Sequence, residues 1–529
     1  MFMVVVEFSY KEMKGLIDVP REKMVEALSE MGAPSEYEEE TDKILAELTP
    51  NRPDWYSMEG LARALRAYLK NEQPQYKAKK SDYKVIVDPS VGKVRPYTVC
   101  AVVKGLKLND QRVRDAVLLQ EKLLATLGRR VKRFGLGLYP LKAINFPVKY
   151  TTMKPKEIRY VPLGHEEEMD AVEILEKHKK GEEYGHLIKD FGRYPVFVDG
   201  KGKIMALIPI VNSAETGKID ESTEDIFIEV SGTSLDACQA ALNILVCTFV
   251  DMGGAAYEVL MKYEDKSFPA PDLSEQKVKL DVKKMNVLLG VELKENEVEK
   301  LLMKMGYRYE KGVVLVPPYR ADVMSYVDVV EDIAIAYGYN NFEPTTPDFF
   351  SSGEVVRQYD EIDNVMRGLG FVETTTFILT NKEKLEGVGC KGGVVGIANP
   401  HSYEYTTVRP TLLADMIDVF AINKMRGLPQ KFYEIGTVHE KETKKKIIFG
   451  VMDKEVVFSD FRGELQTVAS ELGVDFVLMK KEIPIFENEM SCVVVSGKHE
   501  LGVFGKVKKG VLDSFGINFD VYLCELDIE

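Results

Sequence analysis

The sequence predicts an α+β protein of several domains, and three observations carry that expectation. A length of 529 residues exceeds what one hydrophobic core organises. Polar, proline-containing stretches at Lys70 to Lys84, Glu264 to Lys277 and Asn340 to Gly353 cut the chain into four units. Inside those units, apolar residues recur with both the helical and the strand period. The expected boundaries are 1–80, 82–263, 275–345 and 353–529. The second is a mixed α+β unit, the third a small winged-helix-like unit, and the fourth an antiparallel sheet covered by helices.

Each unit has its own local signals. In the first, Ser57 is placed to cap a helix whose apolar stripe is Leu61, Leu65 and Tyr68, and the single tryptophan, Trp55, precedes it. In the second, Val196 to Ile208 reads as a hairpin around Gly200 and Gly202. After Thr233-Ser234 a long helix with Ala237, Ala241, Leu242, Leu245 and Phe249 on one face stops at Gly253-Gly254. The third opens with two helices, the second carrying Val298, Leu301, Leu302 and Met305 and ending at Gly306, then a strand Val313 to Val316. The fourth starts with a helix bearing Tyr359, Ile362, Val365, Met366 and Leu369. Strand-like segments follow at Lys431 to Gly436, Val493 to Val495 and Leu501 to Phe504.

Composition narrows the function. The net charge of −14 argues against broad nonspecific nucleic-acid binding, although Arg129-Arg130-Val131-Lys132-Arg133 is a local basic run. The six cysteines form no C-x-x-C pair, as expected of reduced thiols rather than zinc or disulfide frameworks. No run of about 18 uncharged apolar residues exists, and Glu7 interrupts the apolar start too early for a signal peptide, so no membrane partner and a cytoplasmic location are expected.

One acidic pattern stands out in the third unit. Asp328, Glu331 and Asp332 fall at i, i+3 and i+4 of a helix, with Asp322 just upstream. Carboxylates converging on one point need a cation, and an all-oxygen set suits Mg²⁺ better than zinc. Acids in a first turn also complement the helix dipole without any metal. Spacing leaves both readings open.

Four motifs then occur in order: Thr49-Pro50-Asn51-Arg52-Pro53-Asp54; Tyr194-Pro195-Val196 through Asn212-Ser213; Pro317-Pro318-Tyr319-Arg320-Ala321-Asp322 through Glu331-Asp332-Ile333; and Asn399-Pro400-His401-Ser402 through Arg409-Pro410-Thr411. Together they resemble the beta subunits of phenylalanyl-tRNA synthetases, in their shorter archaeal and eukaryotic form, over nearly the whole chain. The resemblance implies an α2β2 ligase in which an alpha subunit binds ATP and phenylalanine and charges tRNA(Phe), while the beta subunit contributes tRNA contacts and an editing site. It also implies Mg²⁺ held by Asp322, Asp328, Glu331 and Asp332. No phosphate-binding loop accompanies these acids, so the expected role is structural, or at the alpha-subunit boundary, and not chemical.

The resemblance makes residues 353–529 a class II synthetase-like domain. Such a site clamps ATP phosphates with arginines. Here Lys431-Phe432-Tyr433-Glu434 lacks the family's first arginine, and only Arg462 follows Arg426. The domain is therefore expected to be catalytically inert and to contact the alpha subunit. Arg409 is assigned no catalytic role.

Editing is useful because an apolar pocket rejects an added hydroxyl by only about 10²-fold. A second, hydrolytic sieve must present polar groups to a tyrosine phenol and to water beside the aminoacyl ester. Glu229, Ser213, Asn212 and Ser231 are the candidates, Glu229 being the partner for the phenol or the substrate amine. Thr233 is read as a helix cap, and His165, His178 and His186 as surface residues. The alternative is a stand-alone tRNA- or peptide-binding protein derived from a class II synthetase.

Overall fold

The computed structural model describes residues 4–346, 353, 359–390 and 392–528. Two compact units result, Met1–Thr346 and Pro347–Glu529. Among the described residues no helix is long and apolar enough to cross a membrane.

The first unit begins with an antiparallel sheet, Val4–Ser9 against Lys43–Leu48 against Ser35–Glu38. Helix Met58–Lys70 follows, and Ser57 caps it by accepting from Gly60 N at 3.1 Å. Leu61 and Leu65 are buried and Tyr68 half-buried on the face the spacing predicts. This segment shares one hydrophobic core with the next, running from Val6 through Trp55 and Leu65 to Phe249.

That next region is a ten-stranded sheet. Its path runs Val211–Asn212, Ile204–Leu207, Tyr194–Val198, Val148–Met153, Lys84–Val87, Ala255–Lys262, Tyr97–Lys104, Ile226–Gly232, Phe134–Pro140, with Ser267–Ala270 added beside Ala255–Lys262. The two ends of the path meet. Tyr139 on the last strand donates to Asn212 on the first, at 3.1 Å. The approach is close enough that a Cβ on Gly135 would lie 2.6 Å from the Pro209 side chain, so the sheet curls almost shut where glycine allows it. Strand Ile226–Gly232 is buried along its length, and helix Leu235–Asp251 packs on it and on Tyr97–Lys104. The hairpin expected at 196–208 is present, with Val196 opposite Leu207, and Asp199 accepts from Lys201 N and Lys203 N to hold the turn.

Residues 276–341 form a smaller layer with its own core of Met285, Val298, Leu302, Val314, Val329 and Ile333. Helices Val282–Leu289, Glu295–Lys304 and Tyr326–Tyr337 pack with a sheet of Gln276–Lys279, Val313–Val316 and Arg308–Glu310. Tyr319 anchors this layer to the first segment: the Arg63 guanidinium lies over its ring at 3.9 Å.

In the second unit seven strands form a sheet in the order Val372–Glu373, Gln430–His439, Thr443–Asp453, Asp520–Asp527, His499–Val507, Phe486–Ser496, Val477–Lys480. Only the first pairing is parallel. Helix Leu413–Asn423 lies in one core and helices Asp360–Gly368 and Phe458–Glu471 in another, so the sheet is covered on two sides. Of the boundary stretch ending at Gly353, residues 347–352 lie outside the described residues.

Candidate functional site

Strand alternation assembles the site inside the nearly closed sheet. Glu229 and Ser231 project to the same face of Ile226–Gly232, and register sets Glu229 between Cys100 and Gly137 on the flanking strands. Glu229 is 1% exposed. Its Oε2 accepts from Ser231 Oγ at 2.6 Å, and Thr98 Oγ1 stands 2.8 Å from that serine oxygen. Its Oε1 lies 3.5 Å from the hydroxyl of Tyr139. Burial pushes the Glu229 carboxyl up to about 7, against the opposing pull of the Ser231 hydroxyl, the Arg95 charge and the Tyr139 hydroxyl. Arg95 is itself buried and donates to the carbonyls of Val131 and Ser231 at 3.0 and 3.3 Å.

Asn212 connects this interior to open space. Its side chain accepts from Tyr139, and it lines a cavity of about 340 Å³ together with Leu136, Leu138, Pro209, His178 and Lys218. An apolar wall with a few polar groups suits a small ring bearing one hydroxyl. Ser213 is buried, and its hydroxyl accepts from Glu215 N at 3.3 Å. The four candidates thus separate by position: Glu229 and Ser231 hydrogen-bond inside, Asn212 sits on the wall, and Ser213 braces the turn beyond it.

Two expectations are corrected here. Thr233 is not the cap of the long helix; Ser234 is, accepting from Ala237 N, while the Thr233 hydroxyl donates to the carbonyls of Lys132 and Arg133. His178 is buried, not a surface residue. Its Nδ1 accepts from Lys180 N to start helix Lys179–Tyr184, and its Nε2 lies 3.2 Å from the Leu163 carbonyl. A neutral ring with Nε2 protonated satisfies both contacts, and burial lowers its pKa accordingly.

The acidic quartet does not converge. Arg320 donates to Asp322 through Nε and Nη2 at 2.8 and 2.7 Å, and Nη2 also reaches Asp332 at 2.7 Å. Tyr307 donates to the same Asp332 oxygen. Asp328 instead accepts from the backbone N–H of Met324 and Ser325, the capping box of helix Tyr326–Tyr337, and Glu331 is exposed. Among the described residues no group of three or more His, Cys, Asp or Glu side chains is arranged to hold a metal. The charge between Asp322 and Asp332 is supplied by the chain's own guanidinium, so these side chains as placed do not fit Mg²⁺. Burial would raise Asp322, yet Arg320 and, farther off, Arg52 hold it below the usual carboxylate range.

Sequence reasoning missed Tyr139, Thr98, Arg95 and the role of Arg320. Tyr139 left a trace, since Gly135 and Gly137 precede it at alternate positions and a Cβ on Gly137 would lie 2.6 Å from the Tyr139 oxygen. Thr98 and Arg95 left none, because long-range register brings them in. In the second unit Arg409 is buried, paired with Asp415 at 3.2 Å and Glu434 at 2.9 Å, and donates to the Thr437 carbonyl.

Comparison with known proteins gives the same assignment along the chain. Residues 344–528 match the family described as the phenylalanyl tRNA synthetase beta chain CLM domain, and residues 278–339 the tRNA synthetase B5 domain. The phenylalanine–tRNA ligase beta subunit of Pyrococcus abyssi is 35% identical over 512 residues, covering 92% of each chain. That of Archaeoglobus fulgidus is 34% identical over 543 residues, covering 99% of this chain and 98% of its own. A crystal structure of an N-terminal fragment of the Pyrococcus horikoshii beta subunit superposes with a TM-score of 0.60 at 34% identity, covering 63% of this chain and 99% of the fragment. With identity above three tenths sustained over nine tenths of its length, the chain belongs to the phenylalanine–tRNA ligase beta subunits.

Proposed function

We propose that this chain acts within an α2β2 phenylalanine–tRNA ligase in the cytoplasm, where the alpha subunit uses ATP to join phenylalanine to tRNA(Phe) and this subunit hydrolyses Tyr-tRNA(Phe). Residues 82–263 are the editing region. Water adds to the ester carbonyl carbon, the bond to the ribose oxygen breaks, and tyrosine and free tRNA leave.

The observation that carries this reading is the Glu229 carboxyl. It is buried, takes its hydrogen bonds from hydroxyls, and is linked through one phenol to Asn212 on the cavity wall. A carboxyl in that setting accepts from a substrate phenol or amine at little reorganisation cost. Ser231 holds it in place, Asn212 meets the entering ring, and Ser213 positions the backbone beside Asn212. In the assembled complex, Glu229→Gln is expected to slow deacylation of Tyr-tRNA(Phe) about tenfold or more, and Tyr-tRNA(Phe) then accumulates. Unchanged deacylation removes Glu229 from the site.

Residues 353–529 are read as a class II synthetase-like domain without ATP chemistry, packed against the alpha subunit. A phosphate clamp needs a guanidinium free to turn to its ligand. Arg409 is committed to Asp415 and Glu434. The Mg²⁺ of the reaction accordingly belongs with ATP on the alpha subunit; Asp322 and Asp332 act as structural carboxylates around Arg320, Asp328 caps the helix start, and Glu331 lies exposed on the same helix. The isolated chain is expected to show no phenylalanine-dependent pyrophosphate exchange; exchange by the chain alone overturns this part.

A further inference from the structure

Tyr139 occupies the place that an editing substrate would need. Its ring lies back over Gly137 on its own strand, near Phe227, with ring centroids 6.0 Å apart, and it is fully buried. Its hydroxyl faces two acceptors at once, Asn212 Oδ1 at 3.1 Å and Glu229 Oε1 at 3.5 Å. These are the two side chains that the reading above assigns to a tyrosine phenol. They are already paired, in the resting chain, with a phenol of its own.

We propose that Tyr139 is a built-in stand-in for the substrate phenol: it closes the route from the cavity wall to Glu229 and is displaced without net loss only by a ring that can take over its hydrogen bonds. This deepens the editing assignment and rests on it. Position supports it first. Asn212 lines the cavity and Glu229 does not, so the Tyr139 hydroxyl is the polar link between open space and the buried carboxyl. Sequence supports it second, because glycine at 137 leaves the volume into which the phenol folds; any Cβ there would collide with the ring.

The energetics follow from hydrogen-bond exchange. An entering tyrosine replaces one phenol by another, and no buried acceptor is left bare. An entering phenylalanine expels Tyr139 and offers nothing to Asn212 or Glu229, which then bear the cost of unpaired burial. The stand-in therefore imposes the same entry cost on both rings; the tyrosine recovers it from Asn212 and Glu229 and the phenylalanine does not, so Phe-tRNA(Phe) hydrolysis stays slow while discrimination resides in the two acceptors.

The test uses the complete complex with the alpha subunit, separately charged Tyr-tRNA(Phe) and Phe-tRNA(Phe), and the variants Tyr139→Phe and Glu229→Gln. Removing only the hydroxyl lowers the threshold for both substrates. Tyr139→Phe is expected to raise kcat/KM for deacylation of each by roughly five- to tenfold, the worth of one buried hydrogen bond, with their ratio little changed. Glu229→Gln is expected to lower the rate for Tyr-tRNA(Phe) and so to change the ratio. A purely structural Tyr139 would slow both reactions when altered, never accelerate them. An unchanged or slower rate in Tyr139→Phe, with the loss in Glu229→Gln present, overturns the stand-in alone. An unchanged rate in Glu229→Gln overturns the site on which it rests.

Discussion

Two sets of buried carboxylates in the first unit invite opposite treatment. Around residue 320, Asp322 and Asp332 share one guanidinium, with Tyr307 as a further donor. At residue 229 a single carboxyl is held by the hydroxyls of Ser231 and Tyr139. The first set hangs on one group: the Arg320 guanidinium is the cation both carboxylates share, and removing it leaves them without their ion-pair partner. The second can exchange a neutral donor for another at small cost. A dense acidic pattern therefore marks a committed structural centre here, whereas a lone glutamate in a hydrophobic strand marks the place where chemistry is available.

The largest expected effect tests the committed centre. Arg320→Ala leaves half-buried Asp322 without its guanidinium and buried Asp332 with only the Tyr307 hydroxyl, and is expected to cost about 3–5 kcal/mol, read as a lowered midpoint of chemical unfolding. For the native chain, magnesium added at constant ionic strength should leave that midpoint where it was, because the guanidinium already lies between the acids. A clear upward shift would return the metal to this set.

A smaller effect tests the available centre. Glu229 goes from an ordinary value of 4.5 when unfolded to about 7 when folded. Between those values the folded chain binds more protons than the unfolded one, so stability falls as pH rises through that window and levels off above it. Glu59, also pushed up to about 7 by burial, and Asp415, to about 6, act in the same direction. Glu229→Gln should remove one such contribution, on the order of 2–3 kcal/mol, from the decline between pH 5 and 7. An identical pH profile in the variant would mean that Glu229 stays charged throughout, erasing the contrast with Asp322.

The smallest effect separates Asp328 from its acidic neighbours. Asp328→Ala loses a helix cap and is expected to cost about 1 kcal/mol, equally with and without magnesium. A cost that appears only when magnesium is present would place Asp328 in a metal site after all.

Much of the fold was legible because it depends on short-range patterns. Ser57 and its helix, the turn held by Asp199, the stripe ending at Gly306 and the long strands of the second unit all follow from spacing that a chain satisfies locally. Helix caps were less certain even at that scale. Adjacent Thr233 and Ser234 compete for one role, and the register of strand Ile226–Gly232 turned the threonine toward Lys132 and Arg133 instead. His178 misled because its neighbours are charged while its own ring is needed to start a helix.

By itself the sequence determined several helices and the hairpin at 196–208, the choice of Glu229, Ser231, Asn212 and Ser213 as candidates, and the resemblance that places the chain in its family. Those depend on residue type and local period. Only the tertiary structure decided that Arg320 stands between Asp322 and Asp332, and that Tyr139 bridges Glu229 to Asn212. Tyr139 lies 73 residues from Asn212 and 90 from Glu229. The three meet because the two ends of a ten-stranded sheet curl together, and a closure of that kind is set by long-range register and glycine clearance, which no local pattern encodes.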